Sequence, residues 1–186
     1  LVLRYWQAVC AQLGAGRLIM RCTRPNDTLL ADHGVDIDWL RQQERKSVIW
    51  IEDYLTAADL DALMKAAHFL LLPSASLHSV SIMQAMAAGA VPVVSDTFGT
   101  DRYITDGRDG IVLKGVRASN WHRDAETGIM FDNYQRSAEL DSSLVRQFVT
   151  RLGDLLADPA CYNRVQAATK SKSSDTFSGK AFSEDF

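Results

Sequence analysis

Val2, Trp6, Val9 and Leu13, with Leu3 and Cys10 alongside, recur at helical spacing up to Gly14. The chain therefore opens inside a helix, and an upstream segment is expected ahead of it. From Arg17 to Thr23, the run Leu18, Ile19, Met20 and Cys22 predicts a short buried strand, ended by the break at Pro25-Asn26-Asp27. Residues 36–45 are weakly helical around Ile37, Trp39 and Leu40, and Ser47 to Ile51, rich in Val, Ile and Trp, is the next strand. Thr56 opens a clear helix: Thr56-x-x-Asp59 resembles a capping box with Asp in place of Glu, and Leu60, Leu63, Met64 and Ala67 form one apolar stripe.

The middle of the chain changes character. His68 to Leu72 is a nearly continuous apolar run stopped by Pro73, and Val91 to Val94 is another, stopped by Ser95-Asp96. Strands without polar alternation are buried on both faces, as in parallel sheets covered by helices. Between them Ser79 to Ala88 has helix length, with Ser79 expected as its N-cap and Gly89 just past its end. This is a β-α-β unit, and the alternation through residue 113 predicts an α/β fold with an open, doubly wound parallel sheet. Gly107 and Gly110 mark a tight turn before a last short strand, Ile111 to Leu113. Residues 114–134 lack a period and contain Trp121, His122 and Phe131; they are expected as a long surface loop or insertion, a length that suggests a functional or partner-contacting element. Leu140 to Leu156 and Ala160 to Ala168 are expected helices, and the Ser-rich stretch from Ser171 onward is expected to be partly disordered.

Composition bounds the function. With 186 residues, 47% of them hydrophobic, the chain suits one packed domain. Twenty Lys and Arg against 23 Asp and Glu give a formal charge of -3, with no run longer than the short Arg41 to Lys46 stretch. That argues against nucleic acid and against polybasic membrane attachment, both of which need a concentrated positive face. Cys10, Cys22 and Cys161 are too scattered for a disulfide framework, so a reducing, cytoplasmic compartment is expected. No apolar stretch approaches the ~20 residues that span a bilayer, and no leader is visible. Asn26-Asp27-Thr28 satisfies the glycosylation sequon but reads as a polar helix start.

In open α/β sheets ligands collect at the carboxyl ends of strands. Two such loops are identifiable here, Pro73 to His78 and Ser95 to Thr100. The first turn of the Ser79 helix leaves the amides of Val80, Ser81 and Ile82 without helical acceptors, which suits a phosphate. Ser74, Ser76, Ser79 and Ser81 add hydroxyls, and Gly99 permits close backbone approach. The plainer reading is a cap and loop filler. Gln84 stands among apolar neighbours one turn further in, where its amide could reach sugar hydroxyls or simply face solvent. His78 could donate to a phosphate or exchange a proton near neutral pH, or be incidental. His122 to Glu126 fits no standard metal site, so no metal is expected, and no Walker loop, G-x-S-x-G or G-x-G-x-x-G is present.

Phe69 to Ser74 (FLLLPS), Gln84 to Ser95 (QAMAAGAVPVVS) and Asp106 to Gly110 (DGRDG) together resemble the carboxy-terminal, donor-binding domain of retaining GT-B glycosyltransferases of the family 4, or group 1, type. The resemblance covers roughly residues 1–113, which it makes a Rossmann-like nucleotide-sugar-binding core lacking its first strand. A loop or insertion at 114–134 and carboxy-terminal helices at 135–186 would follow. It implies a UDP- or GDP-linked sugar bound between two domains, an acceptor held by an absent amino-terminal half, and hexose transfer with retention to a glycan, lipid or protein. No cofactor is implied. By this resemblance Ser76 and His78 lie beside the sugar as catalytic candidates, while Ser79, Val80, Ser81, Gln84, Gly99 and Thr100 bind donor phosphate, ribose or sugar. Glu52, Asp53 and Tyr54 form the base-binding loop, where the family commonly has a glycine at Glu52. The family's paired glutamates fall on Ser76 and Gln84, a further acidic position on Arg102 and a glycine on Phe98. The departures at Ser76, Gln84 and Arg102 support one alternative to the transferase, a degenerate domain serving as an interaction module; a sugar-nucleotide epimerase shares the two-domain architecture but has no motif in its favour. Work at the cytoplasmic face of a membrane through peripheral contact is compatible with the family, although no basic amphipathic helix supports it.

Overall fold

Short parallel strands alternate with helices in the computed structural model, which describes residues 1–14, 16–132 and 137–178. The chain divides into two units, Leu1–Thr56 and Ala57–Phe186. The first holds α1 (Val2–Gln12), β1 (Leu18–Met20), α2 (Asp27–Asp32), α3 (Ile37–Gln43) and β2 (Val48–Trp50). Its strands pair in parallel, Leu18 opposite Val48 and Met20 opposite Trp50. Helix α1 buries Leu3, Tyr5, Trp6 and Val9, and the Trp6 indole donates to Ser47 Oγ at 3.0 Å. Asn26 caps α2 by accepting from the Leu29 amide at 2.8 Å, the helix-start role expected for that sequon. Cys10 and Cys22 are free thiols. Burial pushes both up, outweighing the Ser47 hydrogen bond at Cys10 and reinforced by Glu52 at Cys22, so neither is prepared as a thiolate nucleophile.

The second unit contains α4 (Ala57–Ala66), β3 (Phe69–Leu72), α5 (Ser79–Ala88), β4 (Val91–Ser95), α6 (Thr100–Tyr103), β5 (Ile111–Leu113), α7 (Val116–Asn120), the hairpin β6 (Trp121–Arg123) and β7 (Met130–Asp132), then α8 (Ala138–Ala157) and α9 (Pro159–Thr176). Its parallel sheet runs in the order β3-β4-β5, and every residue of β4 is buried. Pro92 is tolerated in this central strand because the Val91 amide bonds back to His68 on the β3 side. The missing N–H of residue 92 therefore faces β5, whose ladder begins only at Val93. Ile82 and Met86 of α5 pack with Val94, Ile104 and Val112 into the core. Gly89 closes α5 in the left-handed conformation, φ 89°, as its place after the helix predicted.

The mixed α/β class with parallel strands and carboxy-terminal helices is what the sequence predicted. The sheet differs from expectation in that the backbone ladders form two separate parallel sheets, one in each unit. Residues 114–132 also differ from the expected loop, carrying α7 and an antiparallel hairpin; 133 and 134 lie outside the described residues. The Ser-rich segment is helical through Thr176, since Asp158 caps α9, Pro159 starts it, and Thr169 and Ser173 are buried along it; the disorder expected for 179–186 lies outside the described residues.

The Asp106–Gly110 turn fastens those last helices. Asp106 accepts from the Val112 amide at 2.8 Å and pairs with Arg151 of α8 at 2.8 Å. Asp109, 2% exposed, accepts from the Thr105 amide at 2.7 Å and meets Lys172 of α9 at 3.3 Å, while Thr169 donates to its carbonyl. Burial pushes the Asp106 carboxyl up, but the Arg151 guanidinium and the Val112 amide outweigh it and hold the group below the usual carboxylate range. A depressed carboxylate contributes stability that is present above its unfolded value of about 4 and lost as the pH falls through its lower folded value. Arg151→Met is expected to cost about 1 kcal/mol at neutral pH. Its gap to the wild type should narrow as the pH drops below about 4, as read from urea unfolding across a pH series.

Candidate functional site

Two loops meet at the carboxyl ends of β3 and β4. In the first, the Ser74 hydroxyl lies 3.0 Å from His78 Nε2 and accepts from the Ser76 amide at 3.1 Å, so one serine organises both catalytic candidates. Ser76 and His78 are exposed. His78, not Ser79, is the N-cap of α5, and it makes no side-chain capping bond. The helix thus begins one residue earlier than a serine cap would place it, and the Ile82 amide is already used, donating to the His78 carbonyl at 3.1 Å. The amides left without an acceptor among the described residues are those of Ser79, Val80 and Ser81.

The second loop turns at Gly99, φ 89°, where a Cβ would stand 3.3 Å from Leu77 of the first loop. Thr100, expected beside phosphate or sugar, is 4% exposed, and its hydroxyl is engaged within the loop: it donates to the Ser95 carbonyl at 3.0 Å and lies 3.0 Å from Thr97 Oγ1. Ser76, His78, Ser95, Thr97 and Thr100 together line a small pocket of about 10 Å³, room for about one water-sized oxygen. Ser95, which the sequence reading left out of the site, is 2% exposed, and its hydroxyl has no hydrogen-bond partner among the described residues. Gln84 is exposed on α5 and does not line this pocket. Glu52, Asp53 and Tyr54 are exposed residues of the first unit, Tyr54 at 89%.

A larger cleft of about 340 Å³ opens between α6 and β5; its carboxylates are already matched, while the Arg117 Nε is buried without a hydrogen-bond partner among the described residues and Lys114 is exposed. Asp96 accepts from the amides of Gly115, Val116 and Arg117 at 3.0, 2.7 and 3.2 Å, Asp106 is held by Arg151, and Asp101 pairs with Arg117 at 3.3 Å. The smaller pocket and the α5 start bring together one buried hydroxyl without a hydrogen-bond partner, that of Ser95, and three amides without acceptors among the described residues. His122 to Glu126 is likewise structural. Asp124 closes the β6–β7 turn, accepting from the Thr127 amide and hydroxyl, both at 2.7 Å, and these hold its carboxyl below the usual range.

A model of the family described as glycosyl transferases group 1 matches residues 16–129, more than half of the chain. The chain belongs to the group 1 glycosyltransferases. No curated protein matches it in sequence. Among solved structures it is similar to the pneumococcal O-GlcNAc transferase GtfA in complex with UDP and GlcNAc, with a TM-score of 0.66 and 13% identity over 99% of this chain and 30% of that one. The GtfA/B complex gives 0.62 and 15%, over 98% and 31%. HepE of Anabaena in complex with UDP-glucose gives 0.55 and 12%, over 98% and 50%. At these identities the likeness is one of fold, that of the GT-B glycosyltransferases. The chain spans about a third to a half of the length of the solved relatives named here.

In this group 1 family member the contacts of Asp96, Arg117 and Trp121 carried no local signal. Asp96 stood out only as the polar stop after β4, and Trp121 only as an aromatic in an aperiodic stretch. Because one carboxylate satisfies three amides of α7, Asp96→Ala is expected to cost about 1–2 kcal/mol in chemical denaturation, and Asp96→Asn less.

Proposed function

We propose that this chain is the donor-binding part of a glycosyltransferase that transfers a hexose, with retention, from a UDP- or GDP-linked sugar to a glycan, lipid or protein acceptor. The observation that carries the reading is the start of α5, where three backbone amides without acceptors stand at the end of a buried parallel sheet. They suit the departing diphosphate, whose growing negative charge they would stabilise together with the helix dipole. A pocket of about 10 Å³ cannot enclose a sugar nucleotide. The donor would instead lie across its mouth, over Ser76, His78 and Val80, and one ligand oxygen could answer the buried Ser95 hydroxyl. His78, supported by Ser74, would face the donor sugar, and Gln84 would offer its amide to the ribose. Gly99 would admit the phosphate backbone closely, with Thr100 holding that loop in shape. The bound UDP of the fold relatives supports a uridine donor as the first to try.

Ser76, Gln84 and Arg102 stand where the resemblance expects carboxylates, and this favours a second reading, a domain that has kept the fold as an interaction module. Calorimetric titration of the purified full-length protein with UDP, GDP and ADP separates the two. One diphosphate is expected to bind. Ser79→Pro removes an amide at the first helical position, where proline is tolerated, and should weaken binding about tenfold, a typical loss for one charge-assisted hydrogen bond. No binding of any of the three by the folded protein would favour the interaction module.

A further inference from the structure

Helix α7 and the strand that follows it reach back to both loops of the candidate site. The Asp96 carboxylate, from the start of the second loop, takes the first three amides of the α7 segment, and Arg117 Nη2 donates to the Thr97 carbonyl at 3.2 Å. The Arg117 guanidinium lies 5.4 Å from the Phe98 ring centroid, a cation–π distance. At the end of α7, the Trp121 ring lies 5.9 Å from Phe98, and its indole Nε1 donates to the Ala75 carbonyl at 3.3 Å. The second loop is thus gripped by its carboxylate, its carbonyl and its aromatic ring. The first loop is gripped at the carbonyl preceding Ser76. Trp121 alone among these residues contacts both loops, through two different parts of its side chain.

We propose that Gly115 to Trp121 is a clasp that fixes the spacing of the two ligand-facing loops, with Trp121 as the positioning residue. An indole suits this task because its apolar face can rest on Phe98 while its single N–H reaches a backbone carbonyl. Phe98 is 52% exposed, so ring contact alone leaves the second loop open to solvent on one side, and the loops gain definition from being held together. Trp121 adds a tie between the loops, from the Ala75 carbonyl to the Phe98 ring, to the close approach of Leu77 to Gly99. What the loops bind rests on the donor-site reading; the contacts that join them do not.

Hydrogen exchange of the full-length protein tests the clasp, read at peptides covering 73–78 and 96–100, with α5 and β4 peptides as internal reference. Reporter amides are available in both loops, because Ser76 donates to Ser74 Oγ in the first and Thr97 to the Ser95 carbonyl in the second. Trp121→Phe keeps a ring against Phe98 and deletes the donor to Ala75. It should speed exchange in 73–78 about fivefold while leaving 96–100 near the wild type. Trp121→Ala should release both loops by about tenfold or more, with α5 and β4 unchanged. A UDP titration of the same variants should show weaker binding in the order wild type, Phe, Ala. Equal exchange in wild type and both variants would overturn the clasp, as would a rise spread evenly through α5 and β4 in Trp121→Phe. If Trp121→Ala fails to fold, the Phe variant decides alone. If the wild type binds no nucleotide, the donor-site reading fails, while the exchange pattern still decides whether the clasp exists.

Discussion

Complete burial of β4 is the constraint on which the second unit depends. A strand with neighbours on both edges and apolar cover along its length can end only where the chain turns outward. Its carboxyl end therefore gathers whatever polar groups the fold can offer. Ser95 ends the strand still buried, Asp96 begins the exit and Thr97 folds back beneath it. Helix α5 is pinned to the same sheet by Ile82 and Met86, and this holds its amino end beside that exit. The candidate site follows from these packing facts before any side chain is assigned a chemical role.

Elements whose evidence is local were legible in the sequence. The apolar runs at Phe69–Leu72 and Val91–Val94, the helix between them and the glycine that ends it were all read from spacing and end signals. Contacts between distant residues were not. Asp106 and Asp109 announced a turn, but their partners Arg151 and Lys172 lie 45 and 63 residues away, and no periodicity connects them. The start of α7 and the place of Trp121 were hidden for the same reason, since they depend on Asp96, some 20 residues earlier, and on Ala75, 46 residues before Trp121; the β6–β7 hairpin, by contrast, is closed locally by Asp124 and Thr127. The position of the α5 cap turned on a single residue's backbone angles, which a run rich in serine does not specify.

The loops themselves were located correctly in the chain, but the sequence divided their labour differently from the structure. Thr100 was read as facing a ligand, whereas its hydroxyl holds the loop together; Ser95 was read only as the end of a strand, whereas its hydroxyl is buried without a partner. Ser74 was one serine among several, and in the structure it is the residue that orients His78 and Ser76. Such reassignments are expected where serines and threonines cluster, because a hydroxyl can serve the backbone or a ligand equally well and sequence does not say which.

An anion-binding α5 start, with the donor laid across the mouth of a narrow pocket, is the central claim, and amide NMR tests it residue by residue. On titrating the isotope-labelled protein with UDP, the amides of Ser79, Val80 and Ser81 should shift most, accompanied by those of the 74–78 loop. Shifts confined to the cleft between α6 and β5, or a spectrum in which the α5 start does not respond at saturating UDP, would contradict it.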